Sequence, residues 1–410
     1  MTTGPAVQPF GSLGATTARA TGDPHVGPVV DETWEFEGGT AWVFYAEGHT
    51  ELVKPVILSD GFSMGPSNLF LFWEGLDHGE YPFVRELGSR GYDLIILGYA
   101  ERSASILKNA EVAISCINRA KDQRANKTDL MAAGGFSMGG LVTRYALAKM
   151  EHEGSNHEVG TYISYDSPHR GAWIPLSLQG LAHFLAPISD GMKNMINSEA
   201  ATELMWRHKE SIAAPAVEHE NRRIFLAKLR EYGWWPTGPL NPNGIRKIGV
   251  ANGSGTGEPN GIPAGELALE ITGGLFNNTD LYLQDDTENQ LVAYLKALLQ
   301  PAKEVRTPSL PELDGAPGGT LESFGIAADE LNGAGQPATA HYRSIAFVPA
   351  VSAVAIRDID THEGLYADIS AIPSQESELD AFLCASQNEE HTLMTEELGG
   401  WIIDQLELNK

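Results

Sequence analysis

Gly134-Gly135-Phe136-Ser137-Met138-Gly139-Gly140 is the stretch on which the reading of this chain turns. Ser137 sits in a Gly-x-Ser-x-Gly pattern. Upstream, Asp129-Leu130-Met131-Ala132-Ala133 is a short, mostly apolar run suited to a buried strand. Downstream, Leu141, Val142, Tyr145 and Leu147 alternate with Thr143, Arg144 and Lys149 at helical spacing. A serine between a strand and a helix takes a tight, strained turn, and glycines two residues to either side let the two elements pass closely. The hydroxyl then stands at the carboxyl edge of a sheet, beside the first N–H groups of a helix, where an oxyanion is stabilised. The bland alternative is a glycine-rich turn with an incidental serine; strand, glycines and helix in register count against it.

Outward from this turn the chain alternates strands and helices. Thr33 to Phe36 and Thr40 to Tyr45 flank Gly38-Gly39 as a hairpin. Pro55 to Phe62 is an apolar strand ending in a glycine turn, residues 81–90 a helix, and Tyr92 to Leu97 a strand. Residues 103–120 place Ile106, Ala110, Ala113, Ile114 and Ile117 on one helical face, and Thr161 to Tyr165 is a further strand. Strands separated by helices pair in parallel through crossovers, and active sites in such sheets gather at the carboxyl ends of the strands. Three strand ends therefore matter: Asp60-Gly61-Phe62, Ser137 and Asp166-Ser167-Pro168-His169.

The alternation breaks after Gly171. Residues 173–240 carry helical patterns and large apolar groups, including Trp173, Phe184, Met192, Met195 and Trp206, and are expected to form a helical cap or lid over the site. Residues 1–30 read as an irregular N-terminal arm and 31–410 as one α/β domain containing that insertion. The strand pattern resumes at Ile245 to Asn252. Leu267 to Ile271 and Asp280 to Gln284 read as a strand pair, and residues 301–340, rich in Pro, Gly and Ala, as an extended surface excursion. Ser344 to Ile356 and Ala381 to Ala385 are the last strand candidates, and Leu393 to Leu408 is a closing helix.

The 410 residues are 42% apolar, with a formal net charge of -26. Such a field repels nucleic acid and anionic membrane surfaces, so neither is an expected partner. Cys116 and Cys384 read as small core residues rather than a disulfide framework or metal cluster. Asp280, Asp285, Asp286 and Glu288 lack the glycine and spacing of a calcium loop and read as a solvated acidic turn. No metal or other cofactor is expected. The first thirty residues hold no continuous apolar stretch, so no leader, membrane span or stable membrane insertion is expected. A cytoplasmic protein is the default; a mature secreted form would look the same.

Three motifs in order resemble the α/β-hydrolase superfamily, in its bacterial esterase and lipase branch. Ile57-Leu58-Ser59-Asp60-Gly61-Phe62 resembles the strand and turn that form one side of an oxyanion hole, with Asp60 where lipases usually carry His. Gly135-Phe136-Ser137-Met138-Gly139 resembles the nucleophile elbow, and Ser167-Pro168-His169-Arg170-Gly171 the segment after the next strand. The resemblance covers most of the chain, from about Pro55 onward. It implies an α/β-hydrolase fold, with a mostly parallel central sheet flanked by helices and a cap. The activity it implies is hydrolysis of a small-molecule carboxylic ester through an acyl-enzyme. A serine hydroxyl needs an adjacent base, and the superfamily order is serine, acid, histidine. His391 fits, in a loop between the strand at 382–385 and the last helix; His362 is the runner-up. His152, His157, His208 and His219 sit among charges and read as solvated, and His169 as bracing its loop.

The acid is less evident. Phe347-Val348-Pro349 resembles a segment that often follows the catalytic acid, but no carboxylate precedes it. Asp166 stands at a strand tip, the position that some lipases similar to the pancreatic type use. Its alternative role is to cap the Ser167-Pro168 turn, and Asp358, Asp360 and Glu258 remain open. The backbone N–H groups of Phe62 and Met138 are the expected oxyanion donors. The same triad would serve an acyltransferase or thioesterase. A non-catalytic binding protein on this fold would show a broken constellation instead.

Overall fold

The computed structural model describes residues 27–238, 240 and 244–408. Most of the arm expected over 1–30 lies outside the described residues. The chain opens with an antiparallel pair, β1 (Glu32–Phe36) and β2 (Gly39–Phe44), turning at Gly38. β3 (Pro55–Ser59), α1 (Leu69–Asp77), α2 (Phe83–Ser89) and β4 (Asp93–Tyr99) follow, then α3 (Ile106–Gln123) and β5 (Met131–Phe136). β3, β4 and β5 are buried at every position, which is why they read as unbroken apolar runs: helices cover both faces of a parallel sheet. Helix α1 has no counterpart in the sequence reading. Its Leu69-Phe70-Leu71-Phe72-Trp73 run has no polar face from which to read a period.

After β5 come α4 (Met138–His152), β6 (Val159–Tyr165) and four helices, α5 (Leu176–Leu185), α6 (Gly191–Ile196), α7 (Glu199–Leu204) and α8 (Glu220–Glu231). β7 (Arg246–Ser254) returns to the sheet. A second insertion then runs through β8 (Leu267–Ile271), β9 (Thr279–Tyr282), β10 (Gln290–Leu295), β11 (Lys303–Thr307), β12 (Gly318–Leu321), α9 (Ser323–Gly333), β13 (Ala338–Ala340) and β14 (Ile345–Pro349). Short helices α10 (Ala350–Ala353) and α11 (His362–Leu365) lead to β15 (Ala381–Ala385) and the closing α12 (Glu396–Glu407).

The main sheet has the order β1-β2-β4-β3-β5-β6-β7-β15. β1 and β2 are antiparallel, and every pairing from β4 through β3, β5, β6 and β7 to β15 is parallel. The crossing of β3 and β4, the helices between parallel strands and the strand-turn-helix at Ser137 make this the α/β-hydrolase fold. The carboxyl ends of β3, β5 and β6 lie side by side, so Asp60, Ser137 and Asp166 share one edge.

The excursion expected over 301–340 is instead ordered structure. β11 and β13 are the two edges of an antiparallel sheet, β11-β10-β9-β8-β13, and β12 pairs with β14. Prolines and glycines there mark turns between short strands rather than a loop. The stretch read as a strand through Ile356 ends at Pro349 and turns helical at Ala350. The two insertions pack on each other. An added Cβ at Gly180 of α5 would lie 2.5 Å from Val305 of β11, and the rings of Phe184 and Phe276 meet at 5.6 Å. Among the described residues no helix is long and apolar enough to cross a membrane.

Candidate active site

The turn at Ser137 is strained. Its φ is 51° and ψ -121°, a conformation that side chains other than glycine rarely adopt. The flanking glycines are needed for close approach. A Cβ on Gly139 would stand 2.3 Å from the Ser59 carbonyl oxygen, and one on Gly135 would stand 2.5 Å from the backbone of Gly139. The Ser137 N–H donates to the Tyr165 carbonyl at 2.9 Å, which ties the turn to β6. Ser137 occupies the N-cap of α4, yet its side chain makes no capping bond. By contrast, Ser105 and Thr395 cap α3 and α12 with their hydroxyls. The Ser137 hydroxyl is thus relieved of the usual structural duty of such a residue.

Asp166 ends β6 and also has a positive φ, 47°. Its Oδ1 accepts from the Asn252 N–H at 3.0 Å, and its Oδ2 meets His391 Nδ1 at 2.6 Å. Both residues are buried, at 0% and 7% exposure. With Nδ1 given to the carboxylate, the other ring nitrogen, Nε2, is left buried without a hydrogen-bond partner. No hydrogen bond joins Ser137 to His391 Nε2.

The histidine loop is held by a strand that the sequence reading left on the surface. His391 N–H donates to Thr320 O at 2.8 Å, and Thr320 N–H to Glu389 O at 2.9 Å. β12 therefore runs directly over the Asp166–His391 pair. A Cβ on Gly319 would fall 2.1 Å from Asp166 Oδ2 and 3.3 Å from His391 Cα. The signal was present as Gly318-Gly319, but only the tertiary contact explains it. Asn252 Nδ2–H and Tyr165 O–H both donate to Leu393 O, at 2.9 and 2.7 Å, anchoring the loop from below. The Phe347 ring stands edge-on to the imidazole, with centroids 4.8 Å apart.

The loop after β3 carries the other side of the site. Asp60 is buried, and its Oδ1 accepts from the Gly61 N–H at 2.7 Å. Burial raises its carboxyl above the usual range, while Arg102, with Nη1 3.5 Å from Oδ2, opposes that. The N–H groups of Phe62 and Met138 donate to no other group among the described residues. A small apolar pocket lies beside Phe62, lined also by Ala172, Leu204 and Met205 from the first insertion and by Phe347 from the second.

The other candidates lie elsewhere. His362 is exposed and stacks on Tyr366. Asp360 accepts from Trp206 Nε1 at 2.9 Å, Asp358 faces Arg170 at 3.7 Å, and Glu258 is exposed; none meets His391. Two histidines read as solvated are buried. His157 bonds Glu151 at 2.9 Å, and His208 bonds Asn197 at 2.8 Å. Neighbouring charges in sequence do not report which way a side chain turns. His169 braces its loop, with Nε2 2.9 Å from Ser164 Oγ and Nδ1 3.3 Å from Arg144. This serine–histidine contact is no nucleophile–base pair. Burial, with Arg144 and Arg170, holds the imidazole well below its usual pKa, and an arginine stands where an orienting carboxylate would be needed. Both cysteines are free thiols.

No family model matches the chain, and no curated protein matches its sequence. Among solved structures, the mature lipase BlEst2 of Bacillus licheniformis aligns over 52% of this chain and 71% of its own, at 13% identity and a TM-score of 0.32. Est1E from Butyrivibrio proteoclasticus aligns over 53% and 76%, at 12% identity and a TM-score of 0.31. A hyperthermophilic esterase from the archaeon Pyrobaculum calidifontis aligns over 53% and 65%, at 14% identity and a TM-score of 0.32. Likenesses this faint transfer no activity. The fold stands on the strand order and the chemistry on the residues at the sheet edge.

Proposed function

We propose that this chain is a serine hydrolase that cleaves a small-molecule carboxylic ester through an acyl-enzyme, with Ser137 as nucleophile, His391 as base and Asp166 as the orienting acid. One observation carries the reading. Asp166 Oδ2 holds His391 Nδ1 at 2.6 Å, which leaves Nε2 buried and unpartnered on the sheet edge where Ser137 adopts its strained turn. In the first half-reaction, His391 Nε2 takes the Ser137 proton as Oγ bonds to the ester carbonyl carbon. The negative oxygen of the tetrahedral intermediate accepts from the N–H groups of Phe62 and Met138. Collapse breaks the bond to the alcohol oxygen, which leaves with the proton from His391. Water repeats the cycle on the acyl-enzyme and releases the acid. Asp166 fixes the tautomer and stabilises the imidazolium without taking its proton. Residues 173–240 act in this reading as a cap over the site, within an α/β-hydrolase domain spanning 31–410.

The test is Ser137→Ala. Turnover of p-nitrophenyl esters should fall to background while the thermal unfolding profile stays that of the parent, and a fluorophosphonate probe should label the parent at Ser137 alone. Wild-type turnover in Ser137→Ala would refute the assignment.

A further inference from the structure

An open cleft of about 620 Å³ lies apart from the site around Ser137. Among the described residues it shares no lining with the pocket beside Phe62, and none of Ser137, Asp166 and His391 borders it. Four arginines from three segments converge on it: Arg170 after β6, Arg207 after α7, and Arg222 and Arg230 of α8. Arg222, Leu226 and Arg230 follow one another at four-residue spacing, so one face of α8 forms a wall of the cleft. The chain as a whole has a net charge of -26, and this gathering of cations runs against that average.

Two of the guanidiniums sit deeper than the carboxylates that face them. The side chains of Arg222 and Arg170 are 4% and 16% exposed, and those of Asp360 and Asp358 are 54% and 79% exposed. Burial, helped by the charges of Arg207 and Arg170, lowers the Arg222 pKa to about 10 against the pull of Glu218 and Asp360. Arg222 Nη1 donates to Glu203 O and Leu204 O, and Nε faces Glu218 at 3.6 Å; Nη2 has no partner among the described residues. Arg230 is exposed and makes no hydrogen bond or ion pair among the described residues; its guanidinium stands 5.3 Å from the Trp234 ring centre. Arg207 pairs with Asp360 at 3.1 Å, and Arg170 with Asp358 at 3.7 Å and Glu378 at 3.1 Å. Arg144, buried against His169 and Trp234, bonds only to the imidazole and a backbone carbonyl. Five guanidiniums thus meet four carboxylates, Glu218, Asp358, Asp360 and Glu378, which leaves one positive charge over.

We propose that this cleft is a second binding site, separate from the ester site, for a small monocarboxylate with an apolar body. A carboxylate matches the flat fork of a guanidinium, and Arg222 and Arg230 offer the open donors. One carboxylate balances the one charge left over, whereas a phosphate dianion would bring a second negative charge with no partner. Val217 and Leu226 give the rest of the ligand apolar surface along the cleft. The volume falls within the range of about 300–1,000 Å³ that small-molecule sites occupy.

The experiment titrates hexanoate, hexanol, hexyl phosphate and hexylamine calorimetrically into the parent, Arg230→Gln and Lys228→Gln. Hexanoate should bind most tightly and hexylamine not at all, and the hexanoate Kd should rise with salt. Arg230→Gln should raise that Kd about three- to tenfold, between the worth of an exposed ion pair and that of a charge-assisted hydrogen bond. Lys228 lies on the same helix, is exposed, pairs with Glu231 and does not line the cleft, so Lys228→Gln should leave the Kd as it was. Arg230 is exposed and unpaired, so its replacement should leave the unliganded Tm unchanged, and a lost affinity then reports on the cleft. Hexanol binding as tightly as hexanoate, or equal Kd values in the parent and Arg230→Gln, overturns the site. Equal losses in the two variants overturn it as well, since they reveal attraction to net charge alone. Tighter binding of hexyl phosphate overturns the monocarboxylate class. No readout depends on ester turnover, so the outcome is independent of the role of Ser137.

Discussion

Gly319 lies far in sequence from Ser137 and Asp166, yet an added methyl there should silence the site. In Gly319→Ala the new Cβ would overlap Asp166 Oδ2, at 2.1 Å, and crowd Asp166 Cγ at 3.1 Å and His391 Cα at 3.3 Å. None of these atoms is the free end of a flexible chain. Asp166 is tied through Oδ1 to the Asn252 N–H, and the His391 backbone to Thr320 O. The carboxylate must therefore swing off Nδ1, or β12 must lift. Overpacking of this kind costs about 1–3 kcal/mol of stability. Losing the orienting carboxylate lowers kcat by up to about four orders of magnitude in a serine triad, about 5 kcal/mol of transition-state stabilisation. We expect Gly319→Ala to fold with a modestly lowered Tm and to lose roughly 10²- to 10⁴-fold in kcat, with little change in KM. Gly333→Ala, where a Cβ meets nothing within 4 Å, is the matched control and should be neutral. Asp166→Asn combined with Gly319→Ala should be scarcely worse than Asp166→Asn alone, because both break the same contact. Parent-like kcat in folded Gly319→Ala, or full additivity in the double variant, would refute the placement of β12 over the pair.

Two further outcomes are expected. Asp60→Ala frees the Gly61 N–H and leaves Arg102 buried without its carboxylate, so kcat should fall by up to about 10²- to 10³-fold, the worth of one oxyanion donor, at a stability cost of about 3–5 kcal/mol; Asp60→Asn, which keeps the acceptor, should recover most of the rate, and equal rates in the two variants would count against a positioning role. Glu203 of α7 accepts from Ser105 Oγ and the Ile106 N–H, both at 2.6 Å, and burial pushes its carboxyl up to about 7 from 4.5. Its neutral form is favoured in the folded state, so its contribution is full below pH 4.5 and is lost as pH rises through about 7, by up to ~3 kcal/mol. Denaturant titrations across that window should slope downward with pH in the parent and less so in Glu203→Gln; parallel slopes would contradict the burial of this acid.

The order of strands and helices and the elbow at Ser137 could be read locally. Apolar runs, helical spacing and glycines report on the few residues around them, and a sheet covered on both faces leaves an unbroken apolar imprint on β3, β4 and β5. Strand-tip position put Asp166 forward as a candidate, and the resemblance to α/β-hydrolases put forward His391 in the loop before the last helix. Their contact could not be read, because they are 225 residues apart and only the parallel pairing of β6, β7 and β15 brings the strand end and the loop to one edge. The 301–340 segment shows the limit most plainly. Its composition says turn, and nothing local says that Gly318-Gly319-Thr320 will pair with the histidine loop. Sequence alone determined the strands and helices of the parallel sheet around Ser137 and which chemical groups stand at their ends. Tertiary structure decided which of those groups touch, which glycines make room for them, and which hydroxyls are left without a partner, because each is a property of packing between segments remote in the chain.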